Sequence, residues 1–382
     1  MKASAIICEL NPLHNGHKYI MDKAKEDSNP LVMVMSGNFV QRGCPACVDK
    51  WTRAKAALSE GADLVIELPD IYSCSSAEYF AKGAISILKA TKLEYNLLFG
   101  IEGDNRGALS KAVMQRLGKS YLDDAKERMS LGDSYASSSL DEVLKSNNIL
   151  ALEYTVAVNE LGAENVTPVP VERTGKKSHI ETASEIRNKL SNTNELSDFL
   201  PKASFKILSE SFEAGLGPIN PAPIENYIIA MLRKISAENL SKQAFVSEGL
   251  EHKLINEAYR CTTFADLVSA CTSKRYTSSR IRRALYSLVT GTTSDLLNEF
   301  KYKAPYIRIL GFSKIGAEAV SEICKKTDIP VLINASDREK LKGNARKVFK
   351  NQVSATALYE MCLPKQGTRN AHTELTHPPV KV

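Results

Sequence analysis

Apolar and polar positions in the first half of the chain alternate in blocks of two different periods. Residues 3–8, 31–35, 63–68 and 95–99 are short, mostly apolar and partly β-branched, and so read as buried strands. Between them, segments starting near Lys18, Lys50 and Ser76 carry apolar residues at helical spacing, and helices continue to about Leu161. Val166-Thr-Pro-Val-Pro-Val-Glu-Arg173 is a fifth strand, expected at a sheet edge because its two prolines cannot donate to a ladder. Strands joined by helical crossovers form right-handed βαβ units. The fold expected for residues 1–190 is therefore α/β, a five-stranded parallel Rossmann-like domain that binds its ligand at the strands' C-terminal ends. Four polar loops leave from those ends, at residues 14–17, 36–42, 100–104 and from Arg173 onward, and they converge on one crevice.

Past about Leu190 the pattern changes. Residues 191–198 are polar and rich in capping types, as in an inter-domain turn, and helical periodicity then dominates to about Phe300. Residues 191–362 are expected to form a mainly helical domain. The last stretch, 363–382, is rich in Thr, Pro and His with little apolar content, and is expected to be disordered.

Composition adds bounds. A chain of 382 residues, 43% hydrophobic and 25% charged, is that of a globular protein of two or three domains. No apolar run approaches the ~20 residues that span a bilayer, and no basic-then-apolar leader opens the chain, so the expected location is cytoplasmic with no membrane partner. Nothing implies a protein partner. Of eight cysteines, only Cys44-Pro-Ala-Cys47 has metal-ligand spacing, and no second pair completes a tetrahedral set, so no metal site is expected. The net charge of +6 and pI of about 8.7 permit a nucleic acid partner without requiring one.

The chemistry starts at Pro12-Leu-His-Asn-Gly-His17, where the first strand turns into a helix. A helix N-terminus offers unpaired N–H groups and a partial positive charge to a phosphate, Gly16 lets a nucleotide approach, and His14 and His17 reach the same anion from one turn. At the other end of the domain, Ser184 lies near a helix start with Arg187 three residues on, on one face and aimed at the same phosphate. Asn38, Gln41 and Arg42 are candidates for contacts to a small acid or a base. Lys274, Arg275, Arg280, Arg282 and Arg283 open a helix whose buried stripe is Ile281, Ala284 and Leu285. Those five cations are expected to face outward and contact an RNA backbone, with residues 338–350 extending the track.

A strand, His-x-Gly-His and a distant Ser-x-x-Arg together resemble the nucleotidyltransferase superfamily related to class I aminoacyl-tRNA synthetases. Longer blocks, Met35-Ser-Gly-Asn-Phe-Val-Gln-Arg-Gly43, Asp49-Lys-Trp-Thr-Arg-Ala54, Ala77-Glu-Tyr-Phe-Ala-Lys-Gly83 and Lys274-Arg-Tyr-Thr277, resemble the bacterial tRNA(Met) cytidine acetate ligase family. That resemblance implies a two-step reaction: ATP adenylates acetate, and the acetyl group passes to N4 of the wobble cytidine of elongator tRNA(Met). It implies ATP held by Ile7, Cys8, Glu9, Leu10, Asn11, Pro12, Leu13, His14, Asn15, Gly16, His17, Lys18, Tyr19 and Ile20, with Gly100, Asn148, Arg173, Ser184 and Arg187, and Mg²⁺ bridging the leaving phosphates. His14 and His17 would be the catalytic donors, and Asn38, Gln41 and Arg42 would meet acetate or cytidine. The chain departs from the family pattern at Cys44 and in the short basic loop 174–178. Two other readings are an adenylyltransferase that joins AMP to a phosphorylated cofactor precursor, and an RNA binder with a vestigial nucleotide site.

Overall fold

A computed structural model describes residues 1–27, 29–101, 106–118, 146–172, 183–190 and 193–382. All five expected strands form: β1 (Lys2–Cys8), β2 (Leu31–Ser36), β5 (Leu64–Leu68), β6 (Glu94–Ile101) and β7 (Val166–Glu172). They lie parallel in the order β5-β2-β1-β6-β7. β1, β2 and β5 are buried on both faces, which explains their unbroken apolar runs. β7 takes the edge, with Pro168 opposite Leu97 and Pro170 opposite Phe99, where a missing N–H leaves no ladder bond unmade on the outer side. The crossovers include α1 (Asn15–Lys25), α2 (Lys50–Ser59) and α4 (Ala77–Thr91), and α3 (Asp70–Ser73) is a single turn after β5. A small hairpin, β3 (Phe39–Val40) with β4 (Cys44–Pro45), sits in the loop after β2.

The sheet does not stop at five strands. β8 (Ile307–Phe312) pairs antiparallel with β5, and β9 (Val331–Leu332) and β10 (Val380–Lys381) add parallel to the two halves of β8. The mainly helical stretch expected over 191–362 therefore divides. Helices from Ala222 to Glu299 build a lobe around Ile228, Leu232, Leu254, Leu267, Leu285 and Tyr286, while residues 307–332 return to the first domain's sheet.

The last stretch also departs from expectation. Residues expected to be disordered form a short helix (Thr373–Thr376) and β10. Glu374 is fully buried, with Oε2 2.6 Å from Lys50 Nζ and Oε1 3.6 Å from Arg308 Nη2. Lys50 Nζ also lies 2.6 Å from Glu67 Oε1, and the His377 ring stacks 4.5 Å from Trp51. Ion pairing and backbone pairing order this segment. Neither needs the apolar content whose lack suggested disorder.

Candidate functional site

After β1, the chain turns through Leu10, fully buried with φ +49°, into α1. His14 is the N-cap: its Nδ1 accepts the Gly16 N–H at 3.1 Å, and the His14 N–H donates to His17 Nδ1 at 3.3 Å. Two imidazoles thus form a reciprocal capping box. The His17 N–H goes to the His14 carbonyl and the Asn15 N–H to the Phe199 carbonyl, both at 2.9 Å. These first-turn donors of α1 are taken, so the expected cradle of unpaired backbone N–H groups does not form. A phosphate there has to be met by side chains.

The same bonds set the histidines' chemistry. A ring nitrogen that accepts carries no proton, so each neutral imidazole holds its proton on Nε2. With ring centroids 3.9 Å apart, the pair presents two oriented Nε2–H donors side by side. Gly16 is needed for this cap, because a Cβ there would lie 2.9 Å from His14 Cε1.

A cavity of about 670 Å³ opens where the ends of β1 and β6 meet the helical lobe. Ile7, Cys8, Glu9, His17 and Ile20 line one wall, Gly100 continues it, and Gln41 and Arg42 come from the loop after β2. Asn148 is buried beside the wall residues Ile149 and Leu150. Glu9 Oε1 accepts the Gln41 N–H at 2.9 Å. Burial pushes the Glu9 carboxyl above its usual range, opposed by the Gln41 amide and the nearby cations Arg187, Arg42 and Arg53. Arg187 Nη1 donates to the Asn11 carbonyl at 3.3 Å, so the fold brings the distant arginine onto the histidine loop.

The opposite wall carries Arg275, Arg280 and Arg283 of the helical lobe. The helix Ser278–Thr290 buries Ile281, Ala284 and Leu285 as expected, and packs a second side against the loop after β2. Gly43, at φ +71°, makes that approach possible: a Cβ would sit 2.7 Å from the Arg282 and Arg283 backbone. Arg283 therefore does not face outward as its stripe position suggested. Its Nη1 donates to the Gln41 carbonyl at 3.4 Å. Arg275 and Arg280 pair with Glu248 at 3.1 and 4.0 Å, Arg282 lies over the Phe264 ring, and Lys274 is exposed.

Other candidates do not line the cavity. Asn38 is buried and does not line the cavity, its Oδ1 accepting the Lys50 N–H at 2.9 Å and its Nδ2 reaching Thr356 Oγ1 at 3.4 Å. Leu10, Pro12 and Leu13 are buried, Asn11 Oδ1 accepts the Cys47 N–H at 2.8 Å, and Asn15 Nδ2 holds the Asp198 carbonyl at 2.9 Å. Lys18 pairs with Asp22, and Tyr19 is half-buried. Burial pushes the Cys44 and Cys47 thiols up to about 11. Among the described residues, no group of three or more His, Cys, Asp or Glu could hold a metal ion. Arg173 and the Ser184 side chain lie outside the described residues.

Arg53, within the Asp49-Lys-Trp-Thr-Arg-Ala54 block, was not among the candidate site residues. It is buried and donates to the carbonyls of Glu9 (2.7 Å), Ser36 (3.1 Å), Val48 (3.1 Å) and Gly37. One guanidinium thus ties together the ends of β1 and β2, from which the histidine and Gln41 loops depart.

A model of the HIGH nucleotidyl transferase family matches residues 1–374. The tRNA(Met) cytidine acetate ligase of Acetivibrio thermocellus is 35% identical over 411 residues, covering 98% of this chain and 99% of that protein. This chain belongs to the tRNA(Met) cytidine acetate ligase family. The ligase of Clostridium acetobutylicum is 37% identical over 91% of the chain and 95% of its own length. A crystal structure of Thermotoga maritima TmcAL bound with alpha-thio ATP superposes with a TM-score of 0.93 at 30% identity, covering all of both chains. Because that match leaves no part of either chain outside, the helical lobe and the added strands β8–β10 belong to the ligase architecture and are not an insertion.

Proposed function

We propose that this ligase activates acetate with ATP and transfers the acetyl group to N4 of the wobble cytidine of elongator tRNA(Met) in the cytoplasm. The observation that carries the reading is one cavity in which His17 and the β1 and β6 ends face cations of the helical lobe. Such a cavity brings a nucleotide, a small acid and a polyanion to one place. The first step moves a phosphoryl centre. An acetate oxygen attacks the α-phosphorus and pyrophosphate leaves, so the work is positioning and charge stabilisation at the phosphate oxygens.

His14 and His17 perform that stabilisation with Nε2–H donors that their caps have already oriented, so no proton need move. Arg187, held on the Asn11 carbonyl, adds a fixed positive charge beside them. ATP enters as its magnesium complex, with the ion carried on phosphate oxygens as part of the substrate. In the second step the cytosine amine attacks the mixed anhydride and AMP departs. Arg275 lines the cavity and Lys274 beside it is exposed, so these two cations are the ones to meet the tRNA backbone.

The test is exchange of labelled pyrophosphate into ATP, with and without acetate, followed by mass spectrometry of nucleosides from tRNA incubated with the enzyme. Acetate-dependent exchange and N4-acetylcytidine are expected. Exchange driven by a phosphorylated cofactor precursor, with none on acetate, would move the protein to the adenylyltransferase reading.

A further inference from the structure

A guanidinium taken out of water keeps its charge, so a fold that encloses one normally surrounds it with carboxylates or carbonyls. Arg283 breaks this pattern. Its Nε is buried and has no hydrogen-bond partner among the described residues, and its one protein acceptor is the Gln41 carbonyl at 3.4 Å. The side chain lies 5.9 Å from the Phe245 ring. Burial pulls its pKa down to about 10; the charged groups acting on it are the Cys74 thiol, which is itself pushed well up by burial, and the like-charged Arg280. The neighbouring cavity cations differ, since Arg275 and Arg280 both have Glu248, and Arg280 also has Ser247 Oγ at 2.9 Å. Only Arg283 among these three meets the cavity with its charge uncompensated by protein.

The surroundings select the kind of anion. Phe245, Phe80 and Ala77 line the same cavity, an apolar wall suited to a methyl group. The polyphosphate has the two imidazoles and Arg187, and a polymer backbone first meets the exposed Lys274 and Arg275. We propose that Arg283 binds the carboxylate of acetate and sets the acid specificity of the first step, a reading that rests on the acetate ligase function above. One carboxylate oxygen accepts from Nη2–H, the guanidinium nitrogen that is neither sealed from the cavity like Nε nor taken by the Gln41 carbonyl like Nη1. The other attacks the α-phosphorus, the bond to the β-phosphate oxygen breaks, and pyrophosphate leaves with the electron pair. Charge balances without a proton transfer.

The experiment uses the full chain without tRNA, and begins with the unaltered enzyme. If its pyrophosphate exchange does not depend on acetate, the ligase reading falls whatever Arg283 does. If it does, Arg283→Met should raise the KM for acetate by about 10- to 100-fold, the size of a lost hydrogen bond to a charged group, with the KM for ATP nearly unchanged. The same variant should melt at a higher temperature, because an uncompensated buried charge is gone. Arg283→Lys should restore part of the acetate affinity and guards against a packing artefact. An unchanged KM for acetate overturns the inference. So does a parallel rise in the KM for ATP, which would place polyphosphate there, or intact exchange with weakened tRNA binding, which would place a phosphodiester there.

Discussion

Replacing Glu374 by alanine should destabilise the whole nucleotide domain. In the intact chain Lys50 Nζ sits 2.6 Å from both Glu67 Oε1 and Glu374 Oε2, Arg308 Nη2 sits 3.6 Å from Glu374 Oε1, and Thr356 Oγ1 donates to Glu374 Oε2 at 2.8 Å. Lys50, Glu67 and Glu374 are wholly enclosed, and Arg308 nearly so. Two cations and two carboxylates cancel. Removing one carboxylate leaves a net buried positive charge and an Arg308 guanidinium with only the residue-374 carbonyl at 3.4 Å, a change expected to cost about 3–5 kcal/mol of unfolding free energy. Denaturant unfolding followed by far-ultraviolet circular dichroism measures it. A double variant, Glu374→Ala with Arg308→Met, should recover much of the loss, so the two changes should be strongly non-additive. If Glu374→Ala unfolds within about 1 kcal/mol of the parent, water reaches the site and the buried-network argument is wrong.

His17→Ala should lower pyrophosphate exchange by about 10²–10³ while shifting the KM for ATP little, as for loss of one transition-state donor; unimpaired exchange would remove His17 from the chemistry. Asp70 is buried close to Glu67, and its pKa rises from 3.8 to about 8. The folded state therefore holds this proton more tightly than the unfolded chain, and the contribution present below pH 4 is lost as pH climbs towards 8. Asp70→Asn should flatten that loss, so denaturation midpoints at pH 5 and pH 8.5 should differ less in the variant than in the parent. Trp51 is the only tryptophan and stacks on His377, so His377→Ala should change its emission without altering exchange. Identical spectra would mean that the ring contact does not persist in solution.

The five parallel strands were legible because a strand buried on both faces needs a run of apolar residues and little else. The place of His14 and His17 followed from the same reading. What escaped was interaction between distant parts of the chain. Lys50 starts an amphipathic helix and locally looks like a solvated lysine, and only Glu67 and Glu374 make it a core residue. Arg283 sits next to the apolar stripe of its own helix, but that helix packs on two sides, and the second is visible only once Gly43 is placed against it. The imidazole caps were missed for a different reason. Histidine is not among the usual capping residues, so the motif suggested free backbone donors where the His14 ring and the carbonyls of His14 and Phe199 had already taken them.

The Lys50 to Glu374 contact spans 324 positions of sequence, and this has a consequence during translation. A ribosome adding ~5–20 residues per second completes the codons for β1 to β7 many seconds before it reaches Glu374. Throughout that interval the nascent nucleotide domain lacks β8 beside β5 and carries Lys50 with only half of its final counter-charge. Such a domain should remain loose and dependent on chaperones until the last segment emerges. Arrested chains ending before Glu374 should therefore stay sensitive to protease even though every residue facing His17 from β1 and β6 has already been made.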